Sequence, residues 1–279
     1  MRELADEAQK REIVDFISAG AVGHILREAD LQPHRSRYWL NASPEDPEQF
    51  AQEVRTVCEV YQKTPELAEN GGHVVSVDEK TGIQALERIH PSKPMQPGSP
   101  ELIEFEYKRR GTQCLTASFD VATGEVLGSV TDTRGEEDFL AHIRTTLEMD
   151  PEAPWIIVVD QLNTHKSESL VRLVAQRCGI EEDLGKKGRK GILKNRHTRA
   201  AFLSDPDHRI RFVYTPKHTS WLNQVEIWFS ILVRKLLRRS SFASTEELRK
   251  KILEFIDYFN QTMAKPFKWT YKGRPLQVG

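Results

Sequence analysis

Apolar residues recur at helical spacing in the first part of the chain, then switch to the alternating and short-run patterns of strands from Gly71 onward. Residues 2–10 and 18–29 predict two short helices, the second with Ser18 as its N-cap and Val22, Ile25, Leu26 and Ala29 on one face. Residues 47–63 predict a further amphipathic helix. After it, HVVSVD (73–78) is a short apolar strand ending in a carboxylate, and TQCLTASFDVATGEVLGSV alternates around Ala122-Thr123-Gly124 as a hairpin does. Between them, PSKPMQPGSPE has the composition of an exposed loop. GEEDFLAHIRTTLEMD places Phe139, Leu140, Ile143 and Leu147 on one helical face; WIIVVD is a second strand, SESLVRLVAQRCG a helix and IRFVYTP a third buried strand. TSWLNQVEIWFSILVRKLLRR is apolar nearly all round, which predicts one long buried helix. Three antiparallel strands followed by alternating helices and strands predict a mixed α/β sheet with helices on both faces.

The chain has 279 residues, enough for one large domain and a smaller piece. No apolar run approaches the roughly 20 residues of a membrane span, and MRELADEAQKRE is too charged for a secretory signal, so the expectation is a cytoplasmic protein with no membrane partner. Cys58, Cys114 and Cys178 are scattered without CxxC spacing, as buried or half-buried thiols are. The net charge of −1 hides an asymmetry. Acids dominate residues 41–79, whereas Lys186, Lys187, Arg189, Lys190, Lys194 and Arg196 belong to a strongly basic stretch running to Lys217, and no acid follows Asp257. Each basic run taken alone reads as a solvated face; two of them in a nearly neutral chain point to a polyanion such as DNA. The first two helices fit either part of a helix-turn-helix or a plain helical hairpin. The expected organisation is therefore a partial helix-turn-helix with a basic arm over 1–40, a linker with a helix over 41–70, and an α/β domain over 71–279 with a basic insertion at 181–208.

Asp78 and Asp160 each close an apolar strand, and ligands of α/β sheets gather outside strand ends. Asn223, Glu226, Ser230 and Arg234 form a narrow polar stripe on the long helix. If that helix lies beside the strand of Asp160, Glu226 completes a cluster of three acids, which divalent cations make tolerable; all-oxygen ligands select Mg²⁺ or Mn²⁺. Taken singly, Asp78 could cap a turn, Asp160 could cap the following helix, and Glu226 could pair with Arg234. Three acids on separate elements of one sheet, with basic surfaces nearby, favour the metal site.

VDEKTGIQALER, DQLNTHK and TPKHTSWLNQVEIWFSILVRKLL resemble the catalytic motifs of bacterial insertion-sequence transposases in the mariner-like branch of the DDE superfamily. The resemblance runs from about Arg2 to Leu276 and includes DLGKKGRKGILK, FIDYFNQTMAKPFKWTYKG and READLQPHRSRYWLN. It implies an RNase H-like catalytic domain in which Asp78, Asp160 and Glu226 hold two Mg²⁺ (or Mn²⁺) ions, Asp160 bridging them. It also implies hydrolysis at transposon ends followed by 3′-OH strand transfer into target DNA, with no covalent enzyme intermediate. The implied partners are terminal inverted repeats, target DNA at TA dinucleotides, and a second copy in a homodimer, in the bacterial cytoplasm and nucleoid. Gln161 stands where the resembling sequences more often have Asn. Such proteins usually carry another helix-turn-helix upstream, so the expectation is an N-terminally truncated chain; a DNA-binding regulator without catalysis and a nuclease without strand transfer are the rival readings.

Further DNA contacts are expected from His24 and Arg27 on the outward side of the second helix, and from Arg35 and Arg37 as an arm. Lys80 and Lys217 stand beside motifs and either touch phosphates or are ordinary surface lysines. His218 and Asn223 are candidates to position a phosphate or water, and Trp221 to stack on an unpaired base or to fill the core; Trp228 is expected in the core. His165 lies near the acids.

Overall fold

The structure, a computed structural model, describes residues 1–33 and 46–271. The chain divides into two compact units, Met1–Ala42 and Ser43–Gly279. In the first, α1 (Arg2–Lys10) and α2 (Ala19–Glu28) form as predicted, and Ser18 Oγ accepts the Ala21 N–H at 3.1 Å to cap α2. Among the described residues of this unit only Ala5 and Val22 are buried, while Ile25 is 54% exposed, so the apolar face expected on α2 is mostly uncovered. Arg35 and Arg37 lie outside the described residues.

The second unit holds a five-stranded sheet of order β3-β2-β1-β4-β5, formed by β1 (His73–Arg88), β2 (Tyr107–Asp120), β3 (Val126–Thr131), β4 (Trp155–Val159) and β5 (Ile210–Tyr214). The pairs β1–β2 and β2–β3 are antiparallel; β1–β4 and β4–β5 are parallel. Alternate residues of each central strand feed two separate cores. Val75, Val77, Ile157, Val159 and Phe212 meet α4 (Glu136–Glu148), α5 (Glu168–Cys178) and α6 (Arg196–Leu203) on one face. Val74, Ile156, Val158 and Val213 meet α3 (Pro47–Glu69), α7 (Val225–Leu232) and α8 (Thr245–Thr262) on the other. With both faces covered, all five residues of β4 are buried, which is why WIIVV shows no alternation. Cys58 and Cys114 are buried and Cys178 half-buried, and no disulfide joins them. No described helix is long and apolar enough to cross a membrane.

Three elements depart from expectation. β1 does not stop at Asp78 but runs ten residues further to Arg88, because β2 offers a partner along that whole length; the polar run Glu79–Gly82, which reads locally as a turn, is absorbed as a register shift between Lys80 and Ile83. The parallel pairing with β4 does end early, at Ser76, so Asp78 still lies where β1 leaves its parallel neighbour. α3 continues through Pro65 to Glu69, and it is more than a linker helix: Val54, Val57, Cys58, Val60 and Tyr61 are part of the core. The long apolar helix is broken into a single 3₁₀ turn at Ser220–Leu222, α7, and a π turn at Val233–Leu237.

The hairpin joining β2 and β3 is held by Asp120, whose Oδ1 accepts the N–H groups of Ala122 and Thr123, both at 2.8 Å. Gly124 takes φ +80°, and a Cβ there would lie 2.1 Å from the Lys265 carbonyl oxygen. Gly82 also has positive φ, +64°, but faces open space. Gly82→Ala is expected to cost about 1 kcal/mol of stability from backbone strain alone, and Gly124→Ala at least twice that, because the backbone beside it must also move. Denaturant unfolding of both variants checks this, and equal losses would contradict the close approach.

Candidate active site

Strand register places the first two carboxylates. Ser76 pairs with Val158 in the parallel ladder, and two residues further along each strand stand Asp78 and Asp160. Neighbouring strands are about 4.8 Å apart, and in-register residues of a parallel pair point to the same face, so the two aspartates leave the sheet side by side.

The start of α7 is pinned to the same spot. Ser76 is a single small polar residue in an apolar strand; its hydroxyl makes a very short hydrogen bond to Asn223 Oδ1 and accepts the Val225 N–H at 3.0 Å. Asn223 Nδ2 donates to the Val77 carbonyl at 2.9 Å and to Asp78 Oδ2 at 3.1 Å. Asn223 is fully buried and precedes α7 in extended conformation, so it does not share a helical stripe with Glu226 as its spacing suggested. Instead it latches the helix to β1, one turn before Glu226, whose own N–H bonds the Asn223 carbonyl at 3.1 Å.

Asp160 is fixed by a different device. His165, fully buried, sets Nδ1 2.8 Å from Asp160 Oδ1 and Nε2 3.2 Å from Glu79 Oε2, and its ring lies against Phe139 at 4.1 Å. The Leu162 N–H also bonds Asp160 Oδ1, at 2.8 Å, so the aspartate does cap the turn after its strand while keeping Oδ2 unbonded among the described residues. Tyr214 holds the loop by donating to the His165 carbonyl at 2.9 Å. The Glu226 carboxylate has no hydrogen bond or ion pair among the described residues, and the pairing with Arg234 is not formed; Arg234 Nε donates to the Ser230 carbonyl instead.

These surroundings set the protonation of the cluster. Burial, reinforced by the charges of Asp160, Glu226 and Glu79, pushes Asp78 up to about 7 against the opposing Glu79 N–H bond. For Asp160, burial acts upward, but the hydrogen bond and charge of His165, the Leu162 N–H and Lys166 outweigh it and hold the carboxyl below its ordinary range. His165 is drawn down by burial and more strongly up by its two carboxylate partners, to about 9. Asp78 thus feels both other members of the predicted triad. Among the described residues no three His, Cys, Asp or Glu side chains converge at ligand distance of one point, in keeping with the mutual repulsion of three anions. The donor set nonetheless fits a hard divalent cation: all three candidate groups are carboxylates, Asp160 Oδ2 and the Glu226 carboxylate are unengaged among the described residues, and Asp78, raised chiefly by burial, also bears the repulsion of neighbouring acids that a cation would relieve.

The other predicted residues are dispersed. Lys80 and Glu226 line one cavity. Lys217 and His218 are exposed, His218 with φ +64°, and Trp221 is 51% exposed with its ring edge-on to Tyr271 at 5.0 Å. Trp228 is fully buried in the core. Lys186, Lys187, Arg189 and Lys190 project from an exposed turn, with Lys187 3.9 Å from Glu168 and Lys190 3.3 Å from Asp183. His24 and Arg27 are exposed on α2, His24 3.2 Å from Glu28. Ser76 and Glu79 were missed, and His165 had no assigned role. The signals were a lone serine inside VVSV, an acid directly after Asp78, and a histidine five residues beyond Asp160.

A mixed five-stranded sheet flanked by helices, with carboxylates at the end of its parallel centre, is the RNase H-like fold. The sequence profile described as "DDE superfamily endonuclease" matches residues 73–249, and the chain belongs to that family. Among solved structures, the Mos1 mariner paired-end complex with Mn is similar at 15% identity and a TM-score of 0.52, over 90% of this chain and 65% of that one. The corresponding complex with Mg gives 15%, 0.47, 90% and 65%, and the Mos1 catalytic domain alone 11%, 0.44, 78% and 85%. The chain therefore spans just under two thirds of the length of the Mos1 chain in the paired-end complexes. No curated protein sequence matches it.

A folded-state value near 7 against an ordinary 3.8 means that the native protein takes up a proton at Asp78 between those values. Stability from this group is therefore greatest at low pH, falls as pH rises through the window, and levels off above it. In chelator-treated protein, Asp78→Asn is expected to gain in Tm relative to the wild type on going from about pH 5 to about pH 8. Thermal unfolding at both pH values tests this; an unchanged difference between variant and wild type would contradict the raised pKa.

Proposed function

We propose that the protein is a DNA transposase that hydrolyses phosphodiester bonds at transposon ends and joins the freed 3′-OH to target DNA, with Asp78, Asp160 and Glu226 as its catalytic and metal-holding residues. The observation that carries this reading is the clamped geometry of Asp160. One oxygen is tied to His165 and Leu162 and the other unbonded among the described residues, just past the end of β4 and near enough to Asp78 for its charge to act there, in a chain of the DDE superfamily endonuclease family.

Mg²⁺ or Mn²⁺ held by Asp78, Asp160 and Glu226 would supply the Lewis acidity that activates the attacking oxygen and steadies the leaving one. The protein's share is placement. Asn223 and the Glu79 N–H hold both oxygens of Asp78. His165 keeps Asp160 ionised and its free oxygen turned outward, and the Ser76–Asn223 latch sets the start of the helix carrying Glu226. In the first step water bonds to phosphorus, the P–O3′ bond breaks, and the 3′ oxygen takes up a proton, leaving a 3′-OH and a 5′-phosphate. In the second, that 3′-OH gives up its proton and attacks a target phosphodiester, displacing the target's own 3′ oxygen. One site serves both steps because only the nucleophile differs.

DNA as substrate agrees with the exposed basic turn at Lys186, Lys187, Arg189 and Lys190, with the exposed Lys217 and His218, and with Trp221, whose half-exposed ring suits stacking on an unpaired base. His24 and Arg27 on α2, with Arg35 and Arg37 after it, belong to a partial helix-turn-helix in this reading, and a homodimer would hold two ends. The Mn in the similar Mos1 paired-end complex supports the choice of metal.

The test uses duplexes drawn from the DNA flanking the coding sequence, incubated with Mg²⁺ or Mn²⁺. Wild type is expected to nick them and to yield target DNA covalently joined to the free 3′ end, whereas Asp160→Ala binds the same DNA without nicking. Nicking without any joined product would indicate a nuclease, and binding without nicking by either protein a regulator.

A further inference from the structure

A cavity of about 240 Å³ opens beside Glu226, lined by Lys80, Glu226, Phe229, Ser230, Arg234 and Arg238 among others. Its charge is lopsided, with three cations against one carboxylate. None of the three cations has an ion pair among the described residues: Lys80 lies over the Phe229 ring at 5.8 Å, and Arg234 spends only Nε on the Ser230 carbonyl. Elsewhere in the protein basic side chains do find acids, as Arg110 does with Glu87 and Arg172 with Glu168.

The backbone explains how these side chains meet. Glu226, Ser230, Arg234 and Arg238 are spaced by four residues, and in a regular α-helix each such step drifts by about 40° around the axis. Three steps would carry Arg238 far from Glu226. The π turn at Val233–Leu237, closed by the Arg238 N–H on the Val233 carbonyl at 3.0 Å, widens the helix there and opposes that drift, so all four line one cavity. The register shift in β1 after Lys80 brings in the third cation from the sheet.

We propose that this cavity binds a backbone phosphodiester of the DNA strand next to the one being cut, with Lys80, Arg234 and Arg238 as its ligands. The inference rests on the reading of the protein as a DNA-cutting enzyme and adds a strand-positioning site that Glu226 itself borders. Arginine forks and a lysine suit a phosphate's two unesterified oxygens, and the single carboxylate is the one assigned to metal. A phosphate held here fixes the position of the neighbouring one relative to Glu226.

The test measures binding of a labelled duplex to the full chain over a range of salt concentrations, with calcium replacing magnesium so that nothing is cut. Arg238→Gln and Lys80→Gln are each expected to reduce the slope of log affinity against log salt by about 1, the loss of one phosphate contact. Lys250→Gln, at an exposed position of α8 beside Glu254, is expected to change it by much less. Equal slopes for all three variants and wild type would overturn the site. Tight, Arg238-dependent binding of inorganic phosphate without DNA would also overturn it, pointing to a free-anion pocket. If wild type nicks DNA while the slopes stay equal, only this site fails; if wild type neither binds nor nicks DNA, the functional reading fails and takes the site with it.

Discussion

Like charges held side by side repel, and the sheet gives Asp78 and Asp160 little room to separate. Their spacing is inherited from the parallel register of β1 and β4, which buried side chains on both faces lock in place. A one-residue slip would turn every core residue of a strand to the wrong face, so the sheet cannot relax to spare the carboxylates. Burial raises Asp78 to about 7, and the charges of Asp160, Glu226 and Glu79 add to that rise. Around this constraint the protein arranges two supports. His165 compensates Asp160 from one face of the sheet, and the Ser76–Asn223 latch brings the acidic end of α7 in from the other.

The two supports do different work. His165 joins Asp160 to Glu79, so it ties the second carboxylate's loop to the strand that carries the first. Its burial against Phe139 and the bond from Tyr214 leave it one orientation. Asn223 has no charge to offer; its amide satisfies a buried serine, a strand carbonyl and a carboxylate together, which only a side chain with both donor and acceptor can do. Each anchors one acid: both Asp78 oxygens accept hydrogen bonds, from Asn223 and the Glu79 N–H, whereas Asp160 Oδ2 stays unbonded among the described residues.

Much of this was legible in the chain itself. The apolar runs of β4 and β5, the hairpin at Gly124 and the face of α4 are set by local pattern, and each formed where the pattern put it. The failures were tertiary. A turn after Asp78 was open from the sequence, but β2 pairs with Glu79 and Lys80 and resumes at Ile83, leaving Thr81 and Gly82 in the register shift. The spacing of Asn223 matched a helix that begins only at Val225, because Ser76 competes for the chain's direction there. The residues that support the acids, Ser76, Glu79 and His165, could not be ranked from sequence because their roles depend on contacts between residues up to 149 positions apart. The pairing of the first two acids was foreseeable from two strands ending in aspartate; the absence of a closed three-acid cage was not.

The central claim is that these three carboxylates are the ligands of a divalent cation. Anomalous diffraction from crystals of the chain grown with Mn²⁺ tests it most directly. The account predicts manganese between Asp78, Asp160 and Glu226, at oxygen distances of about 2.1–2.2 Å, with Asp160 Oδ1 still bound to His165. Manganese bound by the protein at another position, with the three carboxylates still apart, would contradict it.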